Sequence, residues 1–123
     1  MWGITGRNTR IGERRRALRS VQIGLARVAV RGPIEHAVLE ISGELDFSDV
    51  DGVHEFVADV PHRIVSIDLA GLDFVDTAGA RLIDGIRAER AERHDERPAV
   101  LGAAPTIERT LRLVRSRMLT LSN

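Results

Sequence analysis

The sequence predicts an α/β fold in which helices pack on a mixed central β-sheet, in the order β-β-α-β-α-β-α-β. Two features point to it: β-branched runs of strand length alternate with stretches whose apolar residues recur at helical spacing, and consecutive βαβ units require right-handed crossovers and parallel pairing. A length of 123 residues with 43% hydrophobic residues is enough for one core and leaves no room for two.

Residues 1–22 read as a flexible basic N-terminal extension, and residues 23–123 as the folded domain. The first 20 residues carry glycines at 3, 6 and 12 and a dense arginine cluster, without sustained periodicity. Ala17, Leu18, Val21 and Leu25 could share a helix face, while Val21, Ile23 and Leu25 equally fit strand alternation, so this stretch is ambiguous. Residues 25–30 and 37–42 flank the turn signal Arg31-Gly32-Pro33 and read as a hairpin; the second strand closes at Gly43-Glu44-Leu45-Asp46. Ser48 followed by Asp51 resembles a capping box, and Val50, Val53, Phe56, Val57 and Val60 repeat at helical spacing up to Pro61, predicting a helix over 49–59.

Residues 63–69 form a nearly continuous β-branched run, the pattern of a strand buried on both faces. The segment 70–79 leads into a second helix whose buried stripe is Leu82, Ile83 and Ile86. Its far half, 87–97, alternates in sign and reads as a solvated face. Residues 98–101 form a short strand, Pro105 suits the first position of a third helix carrying Ile107, Leu111 and Val114, and residues 118–121 read as a last short strand.

Composition excludes several chemistries. With no cysteine, disulfides, thiolate metal sites and a cysteine nucleophile are out of the question. No window approaches 18 consecutive apolar residues, so no membrane insertion is expected and a cytoplasmic protein is. The net charge of zero hides an asymmetry: residues 1–31 hold eight arginines against Glu13 alone, a net +7, and the remainder carries −7. Such an arm could attract nucleic acid, but with 3% aromatics and no lysine the stacking and phosphate-gripping residues of a nucleic-acid binder are sparse, and no nucleic-acid partner is expected.

Neither GxxxxGK[ST], GxGxxG nor GxSxG occurs. His54-Glu55 begins like a zincin helix, yet Ala58 stands where the second histidine belongs. His36, His54, His62 and His94 are scattered and read as surface or helix-end residues. Asp46, Asp73 and Asp76 could be paired as acid and base or as metal ligands, but Asp46 and Asp76 each precede a helix start, where a carboxylate is favoured by unpaired N–H groups. No enzyme, cofactor or metal is expected.

The segment Phe74-Val75-Asp76-Thr77-Ala78-Gly79 leaves a buried strand and enters a helix, placing the Thr77 hydroxyl at or near the N-cap. A phosphate there would meet helix N–H groups while adding about −1.5 to −2 charges beside Asp76. Ser42-Gly-Glu-Leu-Asp46 followed by Asp76-Thr-Ala-Gly79 resembles the anti-sigma factor antagonists of the STAS domain family, over about residues 24–121. The resemblance implies a domain that binds an anti-sigma factor, a serine/threonine kinase, and so frees a sigma factor. The kinase phosphorylates the residue after the turn aspartate, here Thr77, and a phosphatase reverses it. The contact surface this implies comprises Asp46, Asp76, Thr77, Ala78, Gly79, Ala80 and Leu82.

This sequence departs from the family pattern at several points. Threonine replaces the usual serine, Ala78 the second hydroxyl residue and Ala80 a frequent leucine, and no closing helix is expected after the last strand. STAS proteins that assist phospholipid-transport ATPases also use an Asp-Thr-small-Gly turn, so a STAS subunit of such a transporter, or of a larger signalling assembly, is the alternative. The sequence does not indicate an oligomeric state.

Overall fold

The structure, a computed structural model, describes residues 17–122, with side chains described for residues 19–117. Strand β1 (Ala17–Ile23) turns through Gly24-Leu25 into β2 (Ala26–Arg31), and β3 (Ala37–Leu45) follows. Both pairings are antiparallel, with Val21 opposite Val28 and Val30 opposite Leu39. A 3₁₀ turn (Phe47–Asp49) opens helix α1 (Val50–Ala58), which is followed by β4 (Ile64–Asp68) and β5 (Leu72–Val75). Helix α2 (Thr77–His94), strand β6 (Ala99–Leu101) and helix α3 (Pro105–Ser122) complete the order. The sheet runs β1-β2-β3-β4-β6, and β5 joins the far end of β3 beyond β4. Pairings on the β4 side of β3 are all parallel, so the sheet is mixed as its sequence predicts.

Alternation along β3 decides which face is covered. Leu39, Ile41 and Leu45 are fully buried and join one core with Val53 and Val57 of α1, Ala80, Ile83 and Ile86 of α2, and Ile107, Leu111 and Val114 of α3. Val38, Glu40, Ser42 and Glu44 occupy the other face and are partly or fully exposed. There Arg31 bridges Glu40 at 2.7 Å and Asp68 at 3.2 Å, stitching three strands together. Near the end of β3, Gly43 has φ of +84°, and a Cβ on it would collide with the Leu25 carbonyl; only glycine lets the hairpin close so tightly.

Four sequence expectations need correction. The boundary after residue 22 falls within β1: Val21 and Ile23 pack against the core, and the sheet begins at Ala17. The rest of the expected extension, residues 1–16, lies outside the described residues. Residues 72–75 form a parallel strand, β5, because Leu72 and Val75 turn inward beside Gly43 and Leu45, with a register shift that four residues of sequence do not announce. Residues 118–121 belong to α3 and make no strand, since the helix opened by Pro105 runs unbroken to Ser122. Finally, the charged half of α2 is not wholly solvated, because Arg90 is fully buried.

Candidate functional site

Two parallel strands end side by side. Leu45 pairs with Val75, and each is followed by an aspartate that starts a helix, Asp46 after β3 and Asp76 after β5. An aspartate is favoured there because the first N–H groups of a helix have no partner within it. Asp46 Oδ1 accepts the Ser48 N–H at 2.9 Å, and Asp49 Oδ2 accepts the Asp46 N–H at 3.2 Å. The capping box is therefore Asp46 with Asp49, two residues earlier than the expected Ser48 with Asp51. The Ser48 hydroxyl and N–H together hold the Asp46 carboxyl below the ordinary carboxylate range.

Asp76 serves two elements at once. Its Oδ1 accepts the Gly79 N–H at 2.8 Å, capping α2, while its Oδ2 accepts the Phe47 N–H at 2.9 Å from the neighbouring helix start. The Asp76 N–H in turn donates to the Leu45 carbonyl at 3.2 Å. One carboxylate thus locks both strand-to-helix turns together. Both of its oxygens are engaged in this structural work, and so is Asp46 Oδ1. Asp73, the third carboxylate considered, is exposed on β5, three residues before Asp76. Among the described residues, no three His, Asp or Glu side chains converge as metal ligands.

Thr77 is the first residue of α2, and Asp76 is its cap; the side chain of Thr77 is exposed. Ala78 is half-buried at the mouth of an apolar groove between α1 and α2. Val50, His54 and Val57 line one wall, and Leu82, Gly85 and Ile86 the other, around about 440 Å³. Arg81 and Glu89 stand on its α2 side. Gly79 and Ala80 face inward instead: a Cβ on Gly79 would come within 2.8 Å of Val75 Cγ2 and 2.9 Å of the Leu45 carbonyl, and Ala80 is fully buried. Of the residues expected to form a contact surface, Thr77 is exposed and Ala78 half-buried, Leu82 lines the groove, Asp46 and Asp76 cap the two helix starts, and Gly79 and Ala80 face inward, letting α2 approach β3 and β5.

Sequence reasoning missed part of this site. Phe47 is 74% exposed, Leu25 69% and Phe74 48%, all near the paired ends of β3 and β5. Phe47 is anchored by its N–H to Asp76, and the Leu25 carbonyl accepts the Glu44 N–H at 3.0 Å. A large apolar residue directly after a capping aspartate, outside the helical stripe, was the one available signal. The α1 wall of the groove was visible in sequence only as core spacing.

A family model described as Mlab, STAS domain matches residues 28–119, from β2 into α3. Among solved structures, the chain is similar to the STAS domain of an antisigma-factor antagonist from Rhodobacter sphaeroides, with a TM-score of 0.52 and 14% identity over 64% of this chain and 88% of that one. At that identity the likeness is one of fold. No curated protein matches.

Proposed function

Because the chain belongs to the STAS domain family, as the match over residues 28–119 establishes, we propose that it is a non-enzymatic binding module acting as an anti-sigma factor antagonist in the cytoplasm. In this reading it engages an anti-sigma factor kinase through the exposed start of α2 and the adjoining groove, and phosphorylation of Thr77 switches the interaction off. The observation that carries the proposal is positional: an exposed hydroxyl stands at the first residue of α2, at the edge of an open apolar groove and close to the exposed Phe47. Apolar surface of this kind, rimmed by polar residues, suits protein docking.

A phosphate on Thr77 would be tolerated by the fold, since it projects outward at a helix N-terminus and lies one turn from Arg81. In a docked complex the same charge would be desolvated or set against like charge, at a cost of several kcal/mol. A penalty of about 3 kcal/mol already lowers affinity more than a hundredfold. The test is capture of the partner from the native host, followed by affinity measurements on wild type, Thr77→Ala and Thr77→Glu. Thr77→Ala is expected to bind like wild type and Thr77→Glu at least a hundredfold more weakly, with both folded. Equal affinity for all three would reduce Thr77 to a plain helix residue.

The second reading, a STAS subunit of a phospholipid-transport ATPase or larger signalling assembly, draws on the turn Asp76-Thr77-Ala78-Gly79, in which threonine stands alone before a small residue. It is favoured if the captured partner is a transporter ATPase.

A further inference from the structure

On the flank of α2 that faces α3, a second, open cavity of about 220 Å³ is lined by Arg87 of α2, Val100 of β6, and Glu108, Leu111, Arg112 and Arg115 of α3. The charges around it do not balance. A single oxygen, Asp84 Oδ1, serves three guanidiniums: Arg87 at 3.5 Å, Arg115 at 3.5 Å and Arg97 at 3.8 Å. The fourth guanidinium, Arg112, has Glu108 at 3.5 Å. Four positive charges thus meet two negative ones. Charge-assisted N–H···O bonds close to about 2.7–2.9 Å when they are well formed, so every pair in this cluster is loose.

The looseness is not merely a solvated surface. The Asp84 side chain is 10% exposed and that of Arg87 15%. Arg115 Nε is buried without a hydrogen-bond partner among the described residues. Burial, and then the nearby Arg115 and Arg97, push the Arg87 guanidinium below its ordinary value in spite of Asp84. Arg87 is largely buried, while Arg115, Arg97 and Arg112 reach solvent, and this excess of positive charge around a concavity attracts an anion. Planar guanidiniums suit the oxygens of phosphate in particular, and a space below the roughly 300–1,000 Å³ of sites for larger ligands suits one small group.

We propose that this cavity is a binding site for a phosphate dianion, either free or carried as a small monoester, held by Arg87, Arg112 and Arg115. Arg87 is fixed in place by its Nε–H bond to the Pro98 carbonyl at 2.8 Å, while its Nη1 makes only the long contact to Asp84 at 3.5 Å. Val100 and Leu111 supply the apolar wall that a monoester's carbon atoms would meet. The site is separate from Thr77 and does not depend on the antagonist reading.

The test is calorimetric titration of the full chain with inorganic phosphate and with phenyl phosphate at constant ionic strength, against sodium chloride. Saturable binding is expected for phosphate species, strengthening as pH rises through roughly 6, the second pKa of a monoester. Tighter binding of phenyl phosphate would identify a monoester site, and tighter binding of inorganic phosphate a free-ion site. Arg112→Gln and Arg115→Gln alter mainly exposed side chains and are each expected to weaken binding roughly tenfold without unfolding the chain, while Arg27→Gln, on the far face of the sheet, is expected to leave it unchanged. Heats no larger than those of chloride, or equal binding by wild type, Arg112→Gln and Arg115→Gln, would overturn the proposal.

Discussion

Arg90 is fully buried and, among the described residues, has no ion-pair partner; carbonyl oxygens take the place of a carboxylate. Its Nη1 donates to the His62 carbonyl at 2.8 Å, and its Nη2 to those of Val57 at 2.8 Å and Val60 at 3.1 Å. These carbonyls belong to the last turn of α1 and the chain just beyond it, and α1 has no basic residue in its own last turn. A guanidinium from α2 therefore caps α1, where the negative end of the helix dipole favours a cation. Hydrogen bonds to a charged group are worth about 1.5–3 kcal/mol each, and buried carbonyls left unpaired are costly. Arg90→Ala should therefore destabilise the fold by about 3 kcal/mol or more, read as a lower urea midpoint with an unchanged slope; a loss below about 0.5 kcal/mol would show that the carbonyls find other partners. His62, beside it, is pushed below its ordinary value by burial first and then by the positive charges of Arg19 and Arg90. Its unfolded counterpart titrates at about 6.5, so in the window just below that pH the unfolded chain binds more protons than the folded one. The His62 contribution to stability is thus fully present above that window and declines as pH falls through it. Thermal melts from pH 7.5 to 5 are expected to fall more steeply for wild type than for His62→Gln, and parallel profiles would remove His62 from the account.

At the scale of elements, the two helix starts act as one unit because Asp76 hydrogen-bonds to both. Asp76→Ala removes the cap of α2 and the tie to Phe47, and the expected loss is about 1–2 kcal/mol by urea denaturation. Asp46→Ala removes a cap from a single turn and should cost less; the reverse ranking would show that the cross-turn tie is unimportant. Gly79→Ala puts a methyl against Val75 and the Leu45 backbone, and overpacking of this kind costs about 1–3 kcal/mol. Asp76 was legible as a helix-start aspartate because a carboxylate before a helix has a local reason to be there. Its second bond was not legible, since it spans the 29 residues between Phe47 and Asp76. The same limit explains α3: Met118 to Leu121 are apolar enough for a strand, and only continuity with the helix begun at Pro105 assigns them to it.

For the molecule as a whole, β1 is an edge strand, yet it is part of the sheet: Val21 and Ile23 pack against the core, and Arg19 lies over the Phe56 ring at 5.3 Å from its centroid. Deleting residues 1–22 should therefore lower the melting temperature by several degrees, at about 4–8 °C per kcal/mol for a domain of roughly this size. An unchanged melting temperature would show that the sheet tolerates the loss of its edge. Among the described residues, no helix is long and apolar enough to cross a membrane.

Local patterns along the chain suffice for the α/β class, the hairpin of β2 and β3, the strand β4, the starts of α2 and α3, and the turn that carries Thr77. Each of these rests on spacing or chemistry within about ten residues, which the chain states locally. The rest depends on long-range packing. Leu72 to Val75 became a strand because Gly43 to Leu45 offered an open edge, and Arg90 became a buried cap because α1 brings its terminal carbonyls to it. The groove beside Thr77 and the arginine cluster around Asp84 are likewise products of helix packing, joining residues that are distant in sequence and unremarkable one by one.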